Sequence, residues 1–285
     1  MNNKIVDENV DLFKCPDTGE DMIYVRQGDQ QSHFVNKFET KFHATKGFLD
    51  FVGYNSAKKV TARSRSKQKD FTDHYNDFLT GKDWYHKIIN KLMFSQELDI
   101  RKMMSVAKVF LTTLQDALIL DIPCGTGVLS QPLYFDFPKF KFMAADYSVS
   151  MLTKAYSLFE AKNIDNSILM QAKPEKLPFK DSIFDGVISL NGINQFENYK
   201  VALSEIRRVM KPGTKMVGIC YVNGQNKLGD KLTGKLLVEK EIFKSVFTRE
   251  ELEQAFDDAG FEGVTFNIFN SYPLVSISAN NPKGK

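Results

Sequence analysis

Between residues 117 and 221, short apolar runs alternate with amphipathic helical stretches, and this alternation restricts the fold more than any other feature. The runs occupy 117–122, 140–145, 168–170, 186–190 and 216–221. Each is brief and continuously apolar, the pattern of a strand buried on both faces of a parallel sheet. Between them, Met151, Leu152, Ala155 and Phe159 mark one side of a helix beginning at Ser148. Ala202, Ile206, Val209 and Met210 mark another, which stops at the breaker Lys211-Pro212-Gly213. Strands alternating with helices predict βαβ units with right-handed crossovers, hence a doubly wound, Rossmann-like α/β sheet.

The flanks complete the expected organisation. Downstream, Thr248-Arg249-Glu250-Glu251 has the spacing of a capping box, and Gly260 is placed to end that helix. Stretches 261–269 and 271–278 then read as two strands turning at Asn270, which would leave the last strand antiparallel to its neighbours. Residues 222–247, rich in glycine and lysine, read as an insertion. Upstream, Ile100, Met103, Ala107, Leu111 and Leu114 form one stripe of a helix. Residues 10–53 carry short runs parted by turn-formers. The expected plan is a small β-rich module over 1–55, a basic linker over 56–69, a helical lid over 70–115, and an α/β domain over 116–285.

Composition excludes several functional classes. With 42% apolar and 26% charged residues among 285, the chain can bury a core and is not globally disordered. A net charge of +3 is too balanced for a nucleic-acid surface by bulk charge. The one concentrated basic run, 58–69, reads either as a phosphate-binding strip or as a solvated linker, and the low net charge favours the linker. Three scattered cysteines do not make a disulfide framework, which points to a reducing compartment. The N-terminal stretch lacks an apolar secretory core, and no apolar run approaches the ~20 residues that span a bilayer. The expectation is a soluble, cytoplasmic protein.

The chemistry concentrates where the first strand ends. Leu118 to Asp121 runs into Ile122-Pro123-Cys124-Gly125-Thr126-Gly127, a tight turn whose two glycines let the backbone approach a ligand. Asp146 ends the second strand 19 residues after Gly127, close to the ~20 expected for an acid that binds a ribose diol. The competing reading makes Asp146 the cap of the following helix, but Ser148 is equally available for that role. The third small residue of a dinucleotide fingerprint is missing, since Val128-Leu129-Ser130 follows. Asp121 itself would sit poorly beside a pyrophosphate and suits a cationic ligand.

These residues resemble the class I S-adenosylmethionine-dependent methyltransferases, in particular the small-molecule group that includes the ubiquinone and menaquinone methyltransferases. The resemblance spans about 70–279. Asp121 to Gly127 looks like the family's acid-x-Gly-Cys-Gly-x-Gly loop, with Pro123 where the first glycine usually stands. Asp146-Tyr147-Ser148-Val149-Ser150-Met151 is similar to its ribose-binding segment. Lys173-Pro174-Glu175-Lys176-Leu177-Pro178-Phe179, with Phe184-Asp185-Gly186-Val187, is similar to the third and fourth strand region. Lys173 takes the place of an aspartate that commonly meets the adenine amino group, and lysine can only donate. Ile206 to Gly213 looks like the helix before the fifth strand.

The resemblance implies a seven-stranded sheet, S-adenosylmethionine as cofactor and S-adenosylhomocysteine as product. Asp121, Pro123, Cys124, Gly125 and Gly127 would form the cofactor loop. Asp146, Tyr147, Ser148 and Met151 would hold the ribose, and Lys173, Pro174 and Glu175 the adenine side. Tyr75 resembles an aromatic that closes over the cofactor, or is ordinary packing. Asn191, Asn194 and Gln195 follow the fourth strand; Asn191 is assigned to the cofactor and the other two to the acceptor, unless the amides merely cap the loop. Trp84 and Tyr85, with Phe94, would line a closed acceptor pocket, and His86 is the candidate base. The acceptor expected is a small, largely apolar molecule. The rival readings are an RNA methyltransferase and a non-catalytic member of the fold.

Leu12 to Phe51 resembles the zinc-ribbon module fused ahead of some methyltransferases, including a ribosomal-RNA guanine methyltransferase. Zinc needs four N or S ligands. Thr18 stands at the second cysteine of the knuckle begun by Cys15-Pro16, and no later cysteine pair exists. His33 and His43 read as exposed loop histidines. The module is therefore expected to be metal-free and held by its own small core.

Overall fold

The computed structural model describes residues 6–27, 30–45, 47–52, 100–224, 230–231, 238, 243–268 and 274–283. The strands are β1 (Ile23–Gln27), β2 (Gln30–Val35), β3 (Lys41–Thr45), β4 (Phe48–Asp50), β5 (Leu118–Asp121), β6 (Lys141–Asp146), β7 (Ser167–Gln171), β8 (Phe184–Leu190), β9 (Met210–Tyr221), β10 (Glu262–Ile268) and β11 (Leu274–Asn280). The helices that cover them are α1 (Ile100–Leu111), α2 (Gln131–Asp136), α3 (Val149–Lys162), α4 (Tyr199–Val209) and α5 (Arg249–Asp258). All eleven strands belong to one sheet, in the order β1-β2-β3-β4-β7-β6-β5-β8-β9-β11-β10.

The seven strands from β7 to β10 are the unit expected from the sequence. Strands β5 to β9 pair in parallel, and β11 runs antiparallel to both β9 and β10. Successive residues of a strand point to opposite faces, so a run apolar at every position must be covered on both. Ile119, Phe142, Ala144 and Ile188 pack with α1, α2 and α3. Their neighbours Leu120, Met143, Ala145 and Val187 pack with α4 and α5 on the other face. Thr248 and Glu251 form the capping box of α5, and Gly260 ends that segment at φ +82°.

Three regions depart from expectation. First, α1 is one of the sheet-covering helices, with Met103, Ala107 and Leu111 buried in the core, so 100–111 does not belong to a lid. Its Phe110 ring lies where a Cβ on Gly186 would come within 2.4 Å, which is why β8 carries a glycine there. The earlier part of the expected lid lies outside the described residues. Second, Met210 opens β9 instead of ending α4. Third, the N-terminal strands do not form a core of their own. Strand β4 pairs in parallel with β7, and Phe13, Phe34, Phe42, Leu49 and Phe51 share one apolar cluster with Ile168, Met170 and Phe179.

The histidine reading is also corrected. His33 and His43 face each other across β2 and β3 with ring centroids 5.3 Å apart, and His33 is 3% exposed. Pairing within the sheet, not loop exposure, places them. At the degenerate knuckle, Asn36 Nδ2 lies 3.3 Å from Cys15 Sγ while Asn36 Oδ1 accepts the N–H groups of Phe38 and Thr40. Asn36 thus joins the two loops that a zinc ribbon would join through metal. Among the described residues no group of three or more His, Cys, Asp or Glu side chains could hold a metal ion. None of the described helices is long and apolar enough to cross a membrane.

Candidate functional site

The C-terminal ends of β5 and β8 open onto a narrow cleft that communicates with solvent. Parallel sheets place ligands at this edge, where neighbouring crossovers diverge. Asp121, Pro123, Cys124, Gly125, Thr126, Val128, Leu129, Ser130, Met151, Leu190, Asn191 and Gln195 line it. The turn after β5 is tied down by Cys124 N–H to Ala145 O (2.9 Å) and Gly127 N–H to Cys124 O (3.0 Å). Gly125 and Gly127 have φ of +58° and +75°, the region where a side chain is strained. A Cβ on Gly127 would also lie 2.5 Å from Phe159 of α3.

Pro123 is accommodated by a second glycine. A methyl group on Gly192 would sit 1.9 Å from Pro123 Cδ, so the loop after β8 can pass the proline ring only as glycine. Next to it, Asn191 adopts φ +61°, a conformation asparagine tolerates better than most residues. Its presence on the cleft therefore has a backbone reason as well as a chemical one.

The electrostatic centre of the cleft is Asp121, 1% exposed. Tyr134 donates to its Oδ2 at 2.6 Å, while Oδ1 and the adjacent Ser130 hydroxyl, which also favours the charged carboxylate, are buried with no well-formed hydrogen bond. Burial pushes the Asp121 carboxyl up to about 6. Burial and the Asp121 charge push the Tyr134 phenol well up, so Tyr134 remains a donor. A buried carboxylate oxygen with no donor is costly unless a ligand supplies one. That oxygen suits a cation, which fits the donor-rich, positively charged end of a sulfonium amino acid.

Asp146, at the end of β6, is also raised to about 6, chiefly by burial. Its Oδ2 accepts the Gly125 N–H at 2.9 Å and its Oδ1 the Ser148 N–H at 2.7 Å. It therefore ties the glycine turn to the start of α3. Ser148 is the cap of that helix, its hydroxyl accepting from Met151 N–H. Ser148 is thus the cap, and Asp146 accepts the backbone N–H of that cap residue as well as that of the turn. Cys124 lines the cleft with its thiol pushed well up by burial and by Asp146 and Asp121, so it is no thiolate nucleophile.

The expected site residues divide. Asp121, Pro123, Cys124, Gly125, Met151, Asn191 and Gln195 meet at the cleft. Tyr147, Lys173, Pro174 and Glu175 follow β6 and β7 and do not line the cleft; Lys173 Nζ stands 5.7 Å from the centre of the Tyr147 ring. Glu175 accepts the Asn198 N–H at the start of α4. Asn194, expected at the acceptor, is fully buried, and its amide clamps Tyr221 N–H, Tyr221 O and Ser245 O. It staples the end of β9 to the segment leading into α5 and does not line the cleft. Tyr75, Trp84, Tyr85, His86 and Phe94 lie outside the described residues. Ser130 and Tyr134 escaped the sequence reading, because only the fold brings them against Asp121.

Comparison with known proteins follows from this geometry. A methyltransferase domain family matches residues 119–213. An uncharacterized protein of Methanocaldococcus jannaschii is 30% identical over 217 residues, covering 75% of this chain and 82% of its own. A demethylmenaquinone methyltransferase of Thermus thermophilus is 36% identical over 99 residues, covering 35% of this chain, which spans 44% of that relative. A ubiquinone/menaquinone biosynthesis C-methyltransferase of Pseudomonas syringae is 29% identical over 170 residues, covering 52% of this chain and 66% of its own. Among solved structures, an S-adenosylmethionine-dependent methyltransferase from Thermotoga maritima has a TM-score of 0.54 at 19% identity, covering 76% of this chain and 98% of that one. A Haemonchus contortus N-methyltransferase in complex with S-adenosylhomocysteine has a TM-score of 0.56 at 16% identity, covering 73% and 60%; at such identities both show the fold. The sheet order, the glycine turn between Asp121 and Asp146, and these similarities agree: the chain belongs to the class I S-adenosylmethionine-dependent methyltransferases.

Proposed function

We propose that the protein binds S-adenosylmethionine in this cleft and transfers its methyl group to an O, N or C nucleophile of a small, largely apolar molecule. The observation that carries the cofactor reading is the unpartnered, buried Oδ1 of Asp121 beside the glycine turn. The bound cofactor would supply an already activated sulfonium methyl. Asp121 would hold the cationic end and Asp146 the ribose hydroxyls, while Gly125 and Gly127 keep the backbone close. What remains for the chain is to orient the acceptor in line and exclude water, a proximity effect. Gln195 and Asn191, on the β8 side of the cleft, offer amides that could orient a polar acceptor atom. A hydroxyl or amine acceptor also needs a base, for which His86 is proposed.

The acceptor class rests on the near-neutral charge and on relatives named as quinone methyltransferases. Two measurements test the reading. Calorimetry should detect S-adenosylhomocysteine binding to the purified protein. Labelled cofactor offered in parallel to total RNA and to a small-metabolite extract should label the extract. Salt-sensitive label in RNA alone would show that the acceptor is nucleic acid. Trp84→Ala should lower turnover of the small acceptor while leaving cofactor affinity within about threefold, a pocket-wall effect.

A further inference from the structure

The N-terminal module meets the cofactor side of the molecule at Gln171. It is the register partner of Asp50 in β4 on one side and of Asp146 in β6 on the other. Its carbonyl accepts the Phe51 N–H at 2.9 Å, and its side-chain Nε2 donates to Tyr147 O at 2.9 Å. The next residue, Ala172, donates its N–H to Asp146 O at 3.1 Å. A module strand is thus linked through Gln171 to both the acid assigned to the ribose and the residue that follows it.

The same module holds the far end of the segment that leaves β7. Lys14 N–H donates to Pro178 O (3.1 Å) and Lys180 N–H to Leu12 O (2.9 Å), with the Phe13 and Phe179 rings 5.4 Å apart between them. Ion pairs at 3.1 Å join Lys14 to Asp181, Lys176 to Asp17 and Lys180 to Asp21. Lys173, Pro174 and Glu175 therefore form an arch whose two feet are both fixed by residues before 53. Without that cover, β7 would end the sheet with an unpaired edge, and the arch would keep only its bonds to β6 and α4. Ordering such a segment only on ligand binding would weaken affinity, because backbone freedom must then be lost in the binding step.

We propose that the N-terminal module is a built-in positioning element for the adenosine side of the cofactor site, with Gln171 as the positioning residue that couples the two. The inference rests on the proposed cofactor reading. Coupling is reciprocal, so a ligand in the cleft must tighten the module. The test uses the full chain with S-adenosylhomocysteine as probe. Hydrogen exchange should slow on ligand addition at 12–15 and 49–52 as well as at 121–130. Gln171→Met keeps the side-chain length and removes the donor; it should weaken S-adenosylhomocysteine about fivefold, the worth of one neutral hydrogen bond. Asn280→Ala removes a comparable side-chain-to-backbone bond, to Glu262 O at the opposite sheet edge, and should leave affinity unchanged. Protection confined to the cleft, or unchanged affinity in Gln171→Met, would overturn the proposal while leaving the cofactor reading intact. Failure of the wild-type chain to bind the probe would overturn both.

Discussion

Two walls at the ligand edge of the sheet are built by different means: the turn that lines the cleft and the arch beyond β7. The β5–β6 wall is local: a strand, a turn with two positive-φ glycines, and an acid 19 residues on, all within 118–151. The wall beyond β7 is assembled from afar, its arch anchored by residues more than 110 positions earlier in the chain. The first wall carries its chemistry in unpartnered polar atoms, the second in held geometry. A local wall should therefore fail by steric or charge changes at single residues, and a remote wall by loosening.

The largest effect is expected where a residue from outside 118–151 presses on the local wall, at Gly192 against Pro123. Gly192→Ala drives a methyl into Pro123 and should destabilise the protein by about 2–3 kcal/mol, as overpacking does. For a chain of this size that lowers Tm by roughly 3–5 °C. Pro123→Gly should restore much of the loss in the double variant, and additive losses by calorimetry would sink the steric account.

Next is Asp146, proposed to hold the ribose. Asp146→Ala removes charge-assisted hydrogen bonds worth about 1.5–3 kcal/mol each, so S-adenosylhomocysteine should bind tenfold or more weakly. Titration calorimetry reads this directly, and undiminished affinity would remove Asp146 from the site.

A smaller, graded effect follows from pH. Asp121 and Asp146 are both raised to about 6 in the folded protein, above the usual carboxyl value. Their contribution to stability is full at pH below about 4 and lost as pH rises through about 6. A cationic ligand prefers the ionised form, so affinity should be full above about pH 7 and fall below 6. The Tm gain from S-adenosylhomocysteine should accordingly be larger at pH 7.5 than at pH 5; an equal gain at both would contradict the role of Asp121.

The smallest effect belongs to the module. Burial pushes the Cys15 thiol up, but hydrogen bonds from the Thr18 and Asn36 side chains and from the Thr18 and Asp17 backbone together lower it. Asn36→Ala should cost about 1–2 kcal/mol through the orphaned partners. Elemental analysis should find no stoichiometric zinc and chelators should leave Tm unchanged; one zinc per chain would show that the clamp is a metal site after all.

Much of this was legible before any coordinates. The alternating period, the capping box at Thr248 and the glycine turn are local patterns, because strands, caps and turns are decided within a few residues. Asp121 and Asp146 were legible for the same reason, since each ends a strand at the ligand edge of a parallel sheet. The reading failed where the partner is distant. Asn194 looked like a site amide and is a staple between Tyr221 and Ser245. His33 and His43 looked exposed until strand pairing set them face to face.

The sequence by itself determined the sheet, its ligand-binding edge and the chemistry of the local wall, because these follow from periodicity and backbone conformation. Only the tertiary structure decided what covers the edge strand β7, which glycine makes room for Pro123, and that Tyr134 and Ser130 close on Asp121. Those contacts join residues from 9 to more than 150 positions apart. No local pattern encodes such pairs, since they form only when separate elements pack and bury the same surface.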